Sequence, residues 1–556
     1  MKKNKEKTIS DAPVPETLDE RCEVSLDTIL IDEVGQFGWY QLRQLAVLAL
    51  AILCISVASS EYIFTAGRIP TRCLIPECES AGPEQFSPSW LGTAVPGTDG
   101  RLDNCQRYNS TGIANVTDSC PADLFDQQTV VPCDQYVYEH TNTVVYDFEL
   151  ACDEWRRSLI GSLRTVGMLV ALPLVGLVSD YWGRRTALAL TAVNTAWIGS
   201  IRYFANTYIG FIASQFLESV FGSGGYSCAY ILMTEIVGPK YRVAVSAAMS
   251  TIFATGGVVC GLVAWAVPDW RLLTLAIYLP QLLAISFFWI MPESVRWYLS
   301  KDRHEEAQQI LKRMARVNGK QLSEQSMLAL KKNAEREKQM SEKETISEEP
   351  WLIVLVFRHK PILLRCLVSP IWWITCTLVY YGLTINSVNI AGNSYINFIV
   401  VTAIEIPGFW LAFLLMNVIG RKPTLMMSFW ICSACQFAYL FVPTDLYGAS
   451  LALYLIGKCS IASVATAMYV YTIELYPTKY RHRLFAFSSM MGRIGNIIAP
   501  LTPAFGDRLP FILFGGMALV AGLLVLVTPE TRGARFPDTM QQAVHMTNAK
   551  ATPRFR

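Results

Sequence analysis

The sequence predicts an all-α membrane protein: twelve spanning helices in two related sets of six, with one large cysteine-rich loop outside the bilayer. Three observations predict it. Of 556 residues, 52% are hydrophobic and only 17% charged, against about 25% charge in an ordinary soluble domain. Twelve apolar runs reach the ~20 residues that a helix needs to cross hydrocarbon. Motifs at the ends of those runs recur at an offset of 237 to 239 residues.

Composition narrows the function classes. The 47 Lys+Arg against 45 Asp+Glu leave a net charge of +2, which supports no nucleic-acid partner. Disordered, collagenous and small disulfide scaffolds are excluded by the apolar content. The natural partner of such a surface is the lipid bilayer.

The apolar runs fall at 43–65, 158–180, 186–206, 208–236, 244–267 and 272–291, then at 361–385, 393–416, 424–442, 447–472, 483–505 and 509–528. They divide the chain into a tail (1–42), a first half (43–292), a charged linker (293–360), a second half (361–528) and a second tail (529–556). Short loops rich in cations mark the cytoplasmic side. Those loops hold Arg184-Arg185, Lys240 with Arg242, Arg421-Lys422, and Lys479 with Arg481 and Arg483. Both termini lie on that basic side. Residues 1–42 are polar and the first apolar run is too long for a signal h-region, so no cleavable signal peptide is expected. In the linker, the stretch from His304 to Leu311 has the spacing of an amphipathic helix.

The loop at 67–155 holds Cys73, Cys78, Cys105, Cys120, Cys133 and Cys152, six of the fifteen cysteines. It also holds both Asn-x-Ser/Thr sequons of the chain, at Asn109 and Asn115. An oxidising compartment would join the cysteines in up to three disulfides, with fifteen possible pairings. A glycosylated, disulfide-tied extracellular subdomain is therefore expected.

The repeat decides the architecture. Gly183-Arg184-Arg185 matches Gly420-Arg421-Lys422, the octet from Glu235 to Arg242 matches that from Glu474 to Arg481, and Pro292-Glu293-Ser294 matches Pro529-Glu530-Thr531. Three matches in register imply two related halves that can rock about a central site. In the first copy Gly176 permits close approach of a neighbouring helix. Asp180 can sit against a helix N-terminus or pair with an arginine, and Gly183 permits a tight reversal.

The stretch from Gly176 to Arg185 resembles the signature of the major facilitator superfamily. That resemblance implies an intracellular gate network of Asp180, Arg184 and Glu235, with Arg421, Glu474 and Arg481 as counterparts in the second half. The second copy carries Phe413 and Asn417 in place of the glycine and aspartate, which implies an asymmetric gate. Within the superfamily the chain is similar to the organic cation, anion and zwitterion transporters. The similarity rests on the six-cysteine loop, Pro292-Glu293-Ser294-Val295-Arg296-Trp297, Tyr380-Tyr381-Gly382-Leu383 and Glu405-Ile406-Pro407-Gly408. It runs from about residue 35 to 533.

Ionisable side chains deep in spans cost roughly 2.5–3.5 kcal/mol or more when unpaired, and so point to function. Arg164, Glu405, Lys458 and Arg493 are the residues so singled out. Glu405 and Arg493 face a polar cavity, or pair with each other or with Lys458 as an internal brace. Trp373 and Tyr380 lie seven apart, on one helical face, where rings can attract an ammonium. Resemblance assigns both to a substrate pocket, with Tyr226 and Phe253 as further pocket aromatics. It also implies that an acid at Glu405 with an arginine at Arg493 suits a carnitine-like, betaine-like or amino-acid-derived substrate. The alternatives are organic anion exchange and, from another class, a non-transporting sensor.

The expected mechanism is alternating access in the plasma membrane, driven by the membrane potential, by exchange, or by a coupling ion (sodium or proton). No phosphate-binding loop is present. No cofactor, metal site or enzymatic activity is expected.

Overall fold

The computed structural model describes residues 26–79, 85–98, 101–111, 120–332, 351–443, 446–477, 480–506, 508–532, 537 and 540–544. Among them, eight helices are long and apolar enough to cross a bilayer: Trp39–Thr65, Glu154–Trp182, Ala244–Ala266, Trp270–Ile290, Lys360–Asn389, Ser394–Val418, Tyr447–Leu475 and Arg483–Phe505. Three other apolar runs fall on the shorter helices Arg184–Ile201, Arg421–Tyr439 and Leu509–Val525. The run at 208–236 is divided. Its helices are Tyr208–Gly222 and Gly225–Ile236, separated by Ser223 in extended backbone and Gly224 at φ +100°.

The chain forms two compact units. The larger holds residues 43–234, 243–293 and 349–556. In it Lys360–Asn386 lies along Arg481–Ile498, and Arg421–Tyr439 lies between Tyr447–Leu475 and Leu509–Val525. Hydrocarbon supplies no hydrophobic drive between helices, so close packing has to supply the attraction. Glycines provide it where the two halves meet: Gly257 lies against Thr402, Gly261 against Ile399 and Gly161 against Pro500. A core of Trp372, Phe398, Phe429, Tyr454, Tyr471 and Phe514 fills the second half.

The smaller unit holds residues 1–42, 235–242 and 294–348. Leu26, Ile29, Leu30 and Val34 recur at helical spacing and are buried there. Asp27 accepts from Arg242 and from Arg296, each at 2.6 Å. The side chain of Asn318 donates to the Val34 carbonyl at 3.0 Å and accepts from the Tyr40 amide at 3.0 Å. The helix His304–Val317 buries Ala307, Leu311, Met314 and Ala315. Residues 26–42 are thus folded together with part of the linker and do not form a separate tail.

The all-α expectation fails at 67–155. Thr71–Cys73 pairs antiparallel with Tyr136–Tyr138, Gly97–Thr98 with Arg101–Leu102, and Gln106–Ser110 with Phe125–Pro132. Outside hydrocarbon, backbone groups are free to pair between strands or with water, so helix is not obligatory. Cystines join Cys73 to Cys133, Cys78 to Cys120 and Cys105 to Cys152. Asn109 is exposed on the strand Gln106–Ser110, and Asn115 lies outside the described residues.

Candidate functional site

Four groups of ionisable and aromatic side chains stand out. The first is a buried network in the first half that hydropathy alone does not reveal. Arg202, 0% exposed, donates to Glu61 at 3.1 Å and to Glu218 at 2.7 Å. Arg164 donates to the same Glu218 at 3.0 Å. Thr274 donates to Glu61 at 3.0 Å, and the Tyr278 hydroxyl lies 3.4 Å from Glu218. Two guanidiniums and two carboxylates balance to zero, which is how such charges persist away from water. Of the four, the sequence reading singled out only Arg164. Glu61, Arg202 and Glu218 lie in apolar runs too, and each alone was sufficient signal.

The second group sits in the second half. The Lys458 ammonium, 0% exposed, lies 2.8 Å from Glu405 and donates to the Tyr380 carbonyl at 2.8 Å and the Thr384 hydroxyl at 2.7 Å. It also stands 3.6 Å from the centre of the Tyr380 ring. The Tyr380 hydroxyl donates to Glu405. Glu405 therefore pairs with Lys458, one of the alternatives open from the sequence, and not with Arg493.

The third group crosses from half to half. Arg493 is half-buried, and among the described residues no carboxylate lies within ion-pair distance of it. Among the described residues its one hydrogen-bond contact is the Met168 sulfur at 3.9 Å, on the opposite half. Tyr381 and Tyr469 lie within its electrostatic reach. Trp373 stacks edge-on against Tyr469 at 4.7 Å, and its indole donates to Thr472 at 3.3 Å. Tyr226 meets Phe253 at 5.3 Å and lies within electrostatic reach of Tyr469 and Tyr381. Trp373 and Tyr380 share a helix face but are roughly 10 Å apart along the axis, so their rings serve different groups. Tyr469, which the sequence reading missed, ties Trp373 to Arg493.

The fourth group occupies the motif ends, where the repeat acquires a physical meaning. Gly183 has φ +98°, a conformation that a side chain resists, and a Cβ there would run into the Glu293 carboxylate. That carboxylate accepts from the Arg184 amide at 2.8 Å and the Arg185 amide at 3.2 Å, capping the helix Arg184–Ile201. In the second half Gly420 has φ +110°, and Glu530 accepts from the Arg421 and Lys422 amides, each at 3.0 Å. Asp180 is not the cap. It is 73% exposed and pairs with Arg184 at 3.4 Å, the other geometry open to it. Glu474 takes the Arg421 guanidinium at 3.3 Å and the Thr531 hydroxyl. Glu235 takes the Ser294 hydroxyl, within the smaller unit. Arg481 donates to the Tyr476 carbonyl at 3.3 Å. A Cβ on Gly176 would meet no atom within 4 Å, so the close helix approach expected there does not occur among the described residues.

A charged cap at a helix N-terminus is worth about 1–2 kcal/mol. Glu293→Ala and Glu530→Ala are each expected to lower the Tm of detergent-purified protein by a few degrees. The isosteric Gln variants, which keep an acceptor, should recover part of that loss. An unchanged Tm in both Ala variants would show that the caps contribute nothing.

The family model described as "Sugar (and other) transporter" matches residues 122–542. The chain is 30% identical to the organic cation transporter protein of Drosophila melanogaster, over 92% of this chain and 93% of that one. It is 29% identical to organic cation/carnitine transporter 2 of Mus musculus, over 93% and 94% of the two chains. With solute carrier family 22 member 4 of Mus musculus it shares 29% identity, over 92% and 93%. Among solved structures, the partially occluded, inward-open xylose transporter XylE from E. coli superposes with a TM-score of 0.54. That match has 16% identity and covers 69% of this chain and 90% of the other.

Proposed function

The chain belongs to the sugar (and other) transporter family, in its organic cation and carnitine transporter branch, and from that premise we propose that it carries small zwitterions and organic cations across the plasma membrane by alternating access. The fold is that of the major facilitator superfamily, and the family is one of multi-pass membrane transporters, not of enzymes. The observation that carries the substrate reading is Arg493. It is the one intramembrane cation of the two substrate-facing groups without an acidic partner among the described residues, and it has Tyr381 and Tyr469 of its own half and Met168 of the other near it. Its fork binds a substrate carboxylate through two parallel hydrogen bonds. The faces of Tyr226, Phe253, Tyr469 and Trp373 supply the surroundings of an ammonium, each worth roughly 0.5–2 kcal/mol. A carnitine-like, betaine-like or amino-acid-derived compound satisfies both.

The finer architecture is part of the same proposal. Twelve helices span the bilayer, with both termini cytoplasmic. The disulfide-tied segment at 67–155 is extracellular and carries glycans at Asn109 and Asn115. Asp180, Arg184 and Glu235, with Arg242, Arg421, Glu474 and Arg481, act at the cytoplasmic gate. The helix starts after Gly183 and Gly420 support this reading, because the same glutamate cap fixes both motif ends. A coupling ion, sodium or proton, remains part of the proposal.

A second reading, organic anion exchange, is favoured by one observation: Lys458 already neutralises Glu405, so the uncompensated charge of the site is positive. Uptake by expressing oocytes separates the two. The panel holds carnitine and β-alanine as zwitterions, tetraethylammonium as a permanent cation and a dicarboxylate, each with and without sodium. Zwitterions are expected to enter fastest. Fastest entry of the dicarboxylate would establish the second reading, and no uptake of any compound above uninjected oocytes would sink both.

A further inference from the structure

The surroundings of Lys458 have the composition of a binding site for a free alkylammonium ion. A carboxylate (Glu405, 2.8 Å), a backbone carbonyl (Tyr380, 2.8 Å), a hydroxyl (Thr384, 2.7 Å) and an aromatic face (Tyr380, 3.6 Å) converge on one nitrogen. Two of the helices concerned, Lys360–Asn386 and Glu405–Val418, supply the ligands, and the third, Tyr447–Leu475, supplies the cation. The glutamate is held from its other side by the Tyr380 hydroxyl, and the Thr384 hydroxyl also bonds the Tyr380 carbonyl at 3.0 Å. The ligands are thus fixed by one another as well as by the lysine.

A charge brace alone does not require this arrangement. Enclosing an ammonium takes an acceptor for each of its three N–H groups, which Glu405, Tyr380 and Thr384 supply; the Tyr380 ring face is a fourth contact beyond that need. The site also adjoins the substrate region. Tyr381, next in sequence to Tyr380, lies within electrostatic reach of both Glu405 and Arg493. Part of the Tyr380 side chain stays exposed, whereas Lys458 is wholly enclosed.

We propose that Lys458 is a specificity-determining residue: its ammonium fills the cation position built by Glu405, Tyr380 and Thr384, and so denies that position to substrates that carry only a positive charge. This rests on the transport reading given above. With the position occupied, a substrate ammonium must rely on the aromatic faces, and Arg493 makes a carboxylate the feature that is selected. Removing the lysine side chain beyond Cβ leaves a vacancy that matches n-propyl- or n-butylammonium in length and charge.

The test compares wild type, K458A and K458A/E405Q in oocytes, with surface density measured by biotinylation. K458A is expected to take up n-butylammonium at least tenfold faster than wild type per surface molecule, and K458A/E405Q to lose that gain. Equal n-butylammonium uptake by wild type and K458A would overturn the proposal, as would a gain that survives E405Q. Should K458A fail to reach the surface, millimolar n-butylammonium in the medium is expected to restore delivery by occupying the vacancy, and absence of rescue would equally overturn the proposal. Carnitine and β-alanine uptake by wild type reads the transport premise separately. If that uptake is absent, a thermal shift of purified K458A by n-butylammonium, larger than that of wild type and abolished by E405Q, still decides the role of the lysine.

Discussion

Arg202→Met is expected to remove most of the protein from the cell surface and to lower the detergent Tm of the remainder by roughly 10 °C. Among the described residues Arg202 is the one cation that touches both Glu61 and Glu218, at 3.1 and 2.7 Å. Without it Glu218 keeps Arg164, but Glu61 is left with the Thr274 hydroxyl and no cation at hydrogen-bond distance. Breaking a buried pair by deleting one partner costs about 3–5 kcal/mol, because an uncompensated charge remains, and whole-protein stabilities are about 5–15 kcal/mol. Neutralising the orphan should reverse much of this, so E61Q/R202M is expected at a higher surface level than R202M. Arg202→Lys should fall between, since an ammonium is a point charge and cannot present a fork to two carboxylates. Surface biotinylation and a melting curve check all three. R202M at wild-type level with an unchanged Tm would show that the network bears no stability.

That network also shows where the sequence was legible and where it was not. Apolar runs average over windows, and a single Glu or Arg in twenty apolar residues leaves a run intact. Glu61, Arg202 and Glu218 lie in three different runs, and nothing in their spacing says that they meet. The rule that intramembrane charges must be matched predicts that partners exist but not which. The repeat was more informative. An offset of 237 residues links Gly183 to Gly420 and Glu293 to Glu530, and each pair occupies the same place in the same helix cap. The glutamate recurs because its carboxylate accepts from the first amides of the following helix. The strands of 67–155 and the break at Ser223 and Gly224 escaped for another reason: short pairings and local turns carry weak periodicity.

Arg493→Ala is expected to reduce kcat/KM for carnitine and β-alanine by roughly 10- to 100-fold while leaving surface expression intact. Charge balance is the reason. The first-half network is neutral, Lys458 and Glu405 neutralise each other, and among the described residues Arg493 has no carboxylate at ion-pair distance, only the Met168 sulfur at 3.9 Å. A half-buried cation left in that state is stabilised by an arriving carboxylate, and a hydrogen bond to a charged group contributes about 1.5–3 kcal/mol, at about 1.4 kcal/mol per factor of ten. Because no protein carboxylate within ion-pair distance loses a partner, folding should not suffer, in contrast to Arg202. Tetraethylammonium uptake should stay level or rise, since a like charge has been removed from its path. Arg493→Lys keeps the charge but not the fork, and is expected to recover only part of the zwitterion rate. Parallel losses of zwitterion and cation uptake in R493A would instead assign Arg493 to the packing between the halves, through Met168, and take the carboxylate subsite away from it.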